Sequence, residues 1–319
     1  MRRISALILI IALLLCLCAC GAENKSFELS PNLADAAAMA NMLRNARSSA
    51  TCFIAEHIEY DSDGVTISWK DNGADSFTLT RTDRAGKSVP IKTDGYSARD
   101  KLTGLDGAYT YSLTGYSESG DIIGSDSQTV YFGFVVENGR LRYYSHGEPV
   151  RDTDIGTLHF DSAGYYTSGD RELDDIITAL IAENTTPKMT RLRMFHVMYN
   201  YIMDNYEYIS LRFADAESGW EIDFAKEFLT SSGGNCFSYA GATAMIARAL
   251  GFEAKGIYGE VNQTFEWCDH GWTEVYYNGK TYVCDSEMEG VFSRARDLGW
   301  DLFMKEYGDT VTEYNKWEW

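Results

Sequence analysis

Little in this chain is basic, and little of it is proline or cysteine. Lys and Arg number 28 against 47 Asp and Glu, a formal net charge of −19 over 319 residues. That balance argues against nucleic acid, which needs clustered cations to meet its phosphates. It argues equally against broad electrostatic adhesion to anionic lipid or wall polymers. Four prolines cannot make a Pro-rich stalk. Of seven cysteines, Cys16, Cys18 and Cys20 lie at the start. Cys52, Cys236, Cys268 and Cys284 are too few and too dispersed for a disulfide scaffold. Nothing reads as a calcium loop or a nucleotide site, and no cofactor is expected. What is present is globular: 45% hydrophobic and 13% aromatic residues argue against a wholly disordered chain. At roughly 100–200 residues per domain, the length suggests two or three domains.

Arg2 and Arg3 precede an almost continuously apolar run, Ile4 to Cys20. A basic start followed by so short a run is a secretory signal rather than a stable span. It ends Leu17-Cys18-Ala19-Cys20-Gly21, which resembles the lipobox of bacterial lipoproteins. That resemblance implies removal of residues 1–19, lipid on Cys20 and an extracytoplasmic, membrane-anchored protein; the alternative is an uncleaved N-terminal anchor. Loss of Arg2 and Arg3 takes the formal charge from −19 to −21. Residues 20–50 read as a polar tether with a short helix, spaced by Leu33, Ala37, Met42 and Leu43.

From 51 to 132 the pattern has period two, as in Val65-Thr66-Ile67-Ser68-Trp69 and Tyr109-Thr110-Tyr111-Ser112-Leu113. Gly, Asp and Asn interrupt it about every ten residues, the pattern of a small all-β sandwich. With Trp69 as an early core tryptophan and Leu105 six residues before Tyr111, the segment resembles a fibronectin type III domain. Residues 133–169 hold a loose repeat: Asn138-Gly139-Arg140-Leu141-Arg142-Tyr143-Tyr144, then Ile155-Gly156-Thr157-Leu158-His159-Phe160. It resembles the aromatic-glycine hairpins of cell-wall-binding proteins. Fewer than two copies are too few for a stacked array, so a β-hairpin connector is expected, with wall contact as the lesser reading.

At 170 the period becomes 3.6. Leu173, Ile176, Ile177, Leu180 and Ile181 mark one helix; Leu192, Phe195, Met198, Tyr199, Ile202 and Tyr206 mark a second. A short third covers about 223–229. Helices followed by strands give an α+β domain over 170–319.

Two features there carry chemistry. Gly233-Gly234-Asn235-Cys236 precedes a helical run that Gly251 ends. Asn235 is a natural N-cap, which puts Cys236 in the first turn, where free N–H groups and the helix dipole favour a thiolate. The paired glycines would let the chain approach a substrate closely. Downstream, Asn278-Gly279 between alternating runs predicts a two-residue hairpin turn. Tyr277 then faces Lys280, Glu274 faces Val283, and Trp272 faces Asp285. His270 shares the face of Asp285, diagonally adjacent. In this register Cys284 faces Thr273 on the opposite face from His270, so a Cys268–Cys284 disulfide would need another pairing. A zinc site of Cys236, Cys268, His270 and Cys284 lacks the paired short spacing of such sites.

Gly-Asn-Cys-Phe-Ser-Tyr-Ala, Arg248-Ala249-Leu250-Gly251-Phe252-Glu253-Ala254, His270-Gly271-Trp272-Thr273-Glu274-Val275 and Val283-Cys284-Asp285 together resemble the transglutaminase-like superfamily. The order Cys, His, Asp, with gaps of 34 and 15 residues, is fairly specific. The resemblance implies a papain-like core with Cys236 as nucleophile, His270 as base and Asp285 as orienter. Asp285-Ser286 departs from the commoner Asp-Pro. The oxyanion would be held by the Cys236 backbone N–H and one upstream donor, for which Tyr208 is a candidate. Trp272 could wall the cleft; Glu274 is expected to be a packing or solvent-facing residue. The expected partner is a protein or peptide substrate with an amide to cleave or transfer, Lys-bearing proteins being a weak electrostatic suggestion. A peptidoglycan endopeptidase is a second enzyme reading, weakened because such enzymes commonly use Cys-His-His. A non-catalytic adhesion lipoprotein with a relic triad is the reading from another class.

Overall fold

The computed structural model describes residues 57–317, apart from 62–63, 72, 102–105, 211–218, 264–265 and 296–298. The signal, the lipobox, the tether and its helix therefore lie outside the described residues, as do Cys52 and Leu105. The chain divides into two compact units. One takes residues up to Arg81, Ser88–Lys101 and Thr110–Gln128; the other takes Thr82–Lys87, Leu102–Tyr109 and Thr129–Trp319.

The first unit is all β. Strands β1 (His57–Asp61), β2 (Gly64–Ser68) and β3 (Ser97–Lys101) are neighbours in one antiparallel sheet. The strands Ser76–Thr82 and Gly107–Tyr116 are neighbours in another. Alternation sends Val65, Ile67, Trp69, Leu79, Tyr111 and Leu113 inward, all buried. The Tyr111 hydroxyl donates to Asp100 Oδ2 at 2.7 Å, and Arg81 reaches the same oxygen at 2.6 Å. Tyr111 thus binds a carboxylate, a different bond from the backbone one of a corner tyrosine.

The second unit opens with hairpins. Asn138 and Gly139 turn one with φ of 51° and 78°, and residues 133–137 pair with 140–144. Leu141, Leu158 and Phe160 point into the same core as the helices that follow, so the hairpin repeat forms part of this unit's packing. Three helices come next: α1 (Arg171–Asn184), α2 (Arg191–Asn205) and α3 (Trp220–Thr230). Asp170 caps α1 by accepting from the Leu173 N–H, and Thr190 caps α2 through the Arg193 N–H. Their apolar stripes, Leu173-Ile177-Ile181 and Met194-Phe195-Met198-Tyr199-Ile202, are buried. Full burial of each Leu or Ile contributes about 1.5–3 kcal/mol.

Helix α4 (Cys236–Ala249) is the centre of the unit, with every residue but Arg248 buried. Its small residues, Ala240, Gly241, Ala242 and Ala244, let neighbours close on all sides, which a helix apolar all round requires. Against it lies an antiparallel sheet of β4 (Glu253–Gln263), β5 (Glu266–Tyr277), β6 (Lys280–Cys284) and β7 (Tyr314–Lys316), in the order β6-β5-β4-β7. The Thr273 hydroxyl ties β5 to α4 by donating to the Ala240 carbonyl at 2.8 Å. Among the described residues no helix is long and apolar enough to cross a membrane.

Candidate active site

Three local rules place the site. Asn235 has extended backbone, and its Oδ1 accepts from the Ser238 N–H at 3.2 Å. Cys236 is therefore the first residue of α4, where its own N–H has no acceptor within the helix. Asn278 and Gly279 have φ of 51° and 75°, the left-handed pair that a tight hairpin needs. The ladder it sets is Tyr277 with Lys280, Glu274 with Val283 and Thr273 with Cys284, the register read from the sequence. The third rule acts at the strand exit. Asp285 N-caps the short helix α5 (Ser286–Glu289), its Oδ1 accepting from the Met288 N–H at 3.1 Å. Ser286 occupies the first helical position, the place where proline is otherwise favoured, so the chain leaves β6 directly into a helix.

These elements bring Cys236, His270 and Asp285 together. His270 Nε2 lies 2.7 Å from Asp285 Oδ2. That leaves Nδ1 for the sulfur, and Cys236 acts on the ring by hydrogen bond and by charge. All three are nearly enclosed, at 3%, 2% and 2% exposure. Burial alone would lower the His270 pKa, but Asp285 and Cys236 outweigh it and hold the imidazole well above its usual value. The ring is poised as imidazolium, the partner a thiolate needs.

Tyr208 stands beside this group. Its short strand, Glu207–Tyr208, runs parallel to Gly233–Gly234, with Tyr208 opposite Gly234. Burial, then the charges of Cys236 and Glu287, raise its hydroxyl pKa, so it stays a donor at neutral pH. The glycine pair serves this pairing: a Cβ on Gly233 would fall 2.0 Å from the Glu207 carbonyl oxygen. The close approach that the sequence suggested for a substrate is made by the protein's own backbone.

One expectation is corrected, and one is decided between its two alternatives. Trp272 does not wall an open cleft: it is wholly buried, in a cluster with Ile257 and Val283. It does share the face of His270, their rings nearly parallel with centroids 6.4 Å apart. That face is covered by the C-terminal segment, whose Tyr307 hydroxyl accepts from Trp272 Nε1 at 2.9 Å. Glu274 is 2% exposed rather than solvent-facing. It accepts hydrogen bonds from Tyr276, Tyr307 and Lys316 at 2.8, 2.7 and 3.1 Å, and so anchors the covering segment. Cys268 and Cys284 are free thiols, Cys268 paired in register with Val261 and Cys284 with Thr273.

Four residues escaped the sequence reading. The Tyr314 hydroxyl donates to Asp285 Oδ2 at 2.8 Å, and Tyr307 and Lys316 hold Glu274. Glu287 places Oε2 4.0 Å from His270 Nδ1, and burial pushes its carboxyl up to about 7. A carboxylate in the first turn of a helix is too common to signal a site. The donor atoms of His270, Asp285 and Glu287 lie within 4.8 Å of one another. Asp285 Oδ2 already accepts from His270 and Tyr314, and no metal site is assigned.

Residues 178–285 match the family model of the transglutaminase-like superfamily, a span that runs from α1 to Asp285 itself. The C-terminal half therefore contains a transglutaminase-like domain. Among solved structures, one titled "a Putative Cysteine Protease from Cytophaga hutchinsonii" shares 12% identity with this chain. The match covers 73% of this chain and 70% of that one, with a TM-score of 0.27. No curated protein matches the chain.

Proposed function

We propose that this chain is a thiol enzyme that acts on amide bonds of proteins or peptides through an acyl-enzyme on Cys236. The observation that supports it most is the buried His270–Asp285 hydrogen bond of 2.7 Å beside a cysteine at a capped helix start. His270 takes the proton of Cys236, and the thiolate attacks the amide carbonyl. The carbonyl oxygen gains charge facing the Cys236 N–H and the Tyr208 hydroxyl. His270 returns its proton to the departing nitrogen, the C–N bond breaks, and a thioester remains. Water or an amine then adds, giving its proton to His270, and the sulfur leaves. Water gives hydrolysis and an amine gives transfer. Asp285 holds the ring's orientation and stabilises its cationic form throughout.

Intact-mass analysis with a glutamine-bearing peptide, with and without a primary amine, tests this. A mass change in the peptide that Cys236→Ala abolishes is expected; unchanged turnover in that variant would end the reading. The same proposal places the enzyme outside the cytoplasmic membrane on a lipid at Cys20, supported by the apolar run and the Leu17-Cys18-Ala19-Cys20 sequence. Cys20→Ala should move the protein from the membrane fraction to the soluble one, and its retention there would argue for an uncleaved anchor.

A further inference from the structure

We infer that Glu287 is a positioning residue of the Cys236–His270 pair, whose carboxylate holds the cationic form of the imidazole from the side that faces the sulfur. This rests on the thiolate–imidazolium pair proposed above. His270 Nε2 is committed to Asp285, so the side of the ring left for Cys236 is the Nδ1 side, and Glu287 Oε2 is 4.0 Å from that nitrogen. Its carboxyl makes no hydrogen bond among the described residues, although the residue is only 8% exposed. Its oxygens are not fully sealed from solvent, but the charged form of an acid this enclosed is favoured by a nearby cation. Among the described residues, the cationic group that faces it is His270.

The other titratable groups around it are anionic or neutral. Asp285 precedes it in the chain, Tyr314 comes from β7, Tyr208 from the strand before α3, and Cys236 from α4. On α2, Tyr199 is bound to Glu289 instead. Elsewhere on α4, the Tyr239 hydroxyl donates to the Tyr206 carbonyl and Arg248 is paired with Glu221. The charge of Glu287 therefore acts chiefly on the imidazole. Once ionised, it favours imidazolium over imidazole and extends to higher pH the range in which Cys236 is paired as thiolate.

The test is the rate of Cys236 alkylation by iodoacetamide against pH, followed by mass spectrometry on the full-length chain, on Glu287→Gln and on Glu287→Asp. In the native protein two inflections are expected: a lower one where the ion pair forms, and an upper one where the imidazolium loses its proton. Glu287→Gln resembles the protonated acid, so the lower inflection should stay in place. The upper one should move down by on the order of one pH unit. Glu287→Asp keeps the charge and should restore much of the upper position. An upper inflection unchanged in Glu287→Gln, with the rate lowered evenly at all pH values, overturns the inference and leaves the ion pair standing. A native Cys236 that reacts only as an ordinary thiol, with one inflection, overturns both.

Discussion

Tyr314 and Asp285 meet through a hydrogen bond of 2.8 Å, and its acceptor is the Oδ2 that also receives His270 Nε2 at 2.7 Å. One carboxylate oxygen thus joins β7, near the C-terminus, to the imidazole on β5. Removing the hydroxyl in Tyr314→Phe leaves the ring packed but takes one donor from a buried carboxylate. Hydrogen bonds to charged groups contribute about 1.5–3 kcal/mol, and a loss of that order is expected in urea unfolding. The imidazole loses part of its anchorage, and kcat/KM should fall on the order of tenfold. Full activity in this variant would show that Tyr314 serves the fold alone.

Asp285 spends both oxygens as acceptors, Oδ1 on the Met288 N–H and Oδ2 on His270 and Tyr314. Asparagine has one acceptor oxygen, so Asp285→Asn must turn an NH2 group either on the cap or on the ring. It also removes the charge that stabilises the imidazolium. We expect kcat to drop on the order of 10²–10⁴-fold. The upper pH limit of activity should move down. An unaltered pH profile would place the orienting role elsewhere.

Glu274 is buried, yet hydrogen bonds from Tyr307, Tyr276 and Lys316 outweigh that burial and hold its pKa below the usual value. A group depressed in the folded state contributes stability that is present above its unfolded pKa. It loses that stability as pH falls through the folded value. The native protein should therefore lose stability as it is acidified from about pH 4.5 downward. In Glu274→Gln that part of the acid dependence should be absent. At neutral pH the variant should be less stable by about 1.5–3 kcal/mol, the usual effect of weakening hydrogen bonds to a charged group, because its lysine partners are partly exposed. Denaturant midpoints across pH measure both; parallel acid curves for the two proteins would contradict the assignment.

Tyr208 is half exposed and close enough to Cys236 for the sulfur's charge to raise its hydroxyl pKa. If it donates to the developing oxyanion, Tyr208→Phe lowers kcat on the order of 10²-fold and leaves KM nearly unchanged, because the bond strengthens only in the transition state. Steady-state kinetics on a glutamine-bearing peptide decide this, and an unchanged kcat assigns the donor to another group.

The parts of the site that the sequence made legible are those set by neighbours in the chain. Asn235 caps the helix that Cys236 begins because a short amide can reach an N–H three residues ahead. Asn278-Gly279 fixes the register of β5 and β6 because few residue pairs accept two left-handed conformations in a row. That register alone puts His270 and Asp285 on one face. Alternation could not say what lies over that face, so Trp272 and Glu274 looked available to cleft or solvent.

Only the tertiary structure decided the rest. Tyr307 bonds to Trp272 and Glu274, Lys316 to Glu274 and Tyr314 to Asp285, from about 30 to 40 residues farther along the chain. Glu287 comes to the imidazole because Asp285 starts a helix instead of continuing the strand. Such contacts join segments whose own sequences carry no mark of each other. They form because buried carboxylates must find donors wherever the closed fold provides them, and local pattern cannot encode that search.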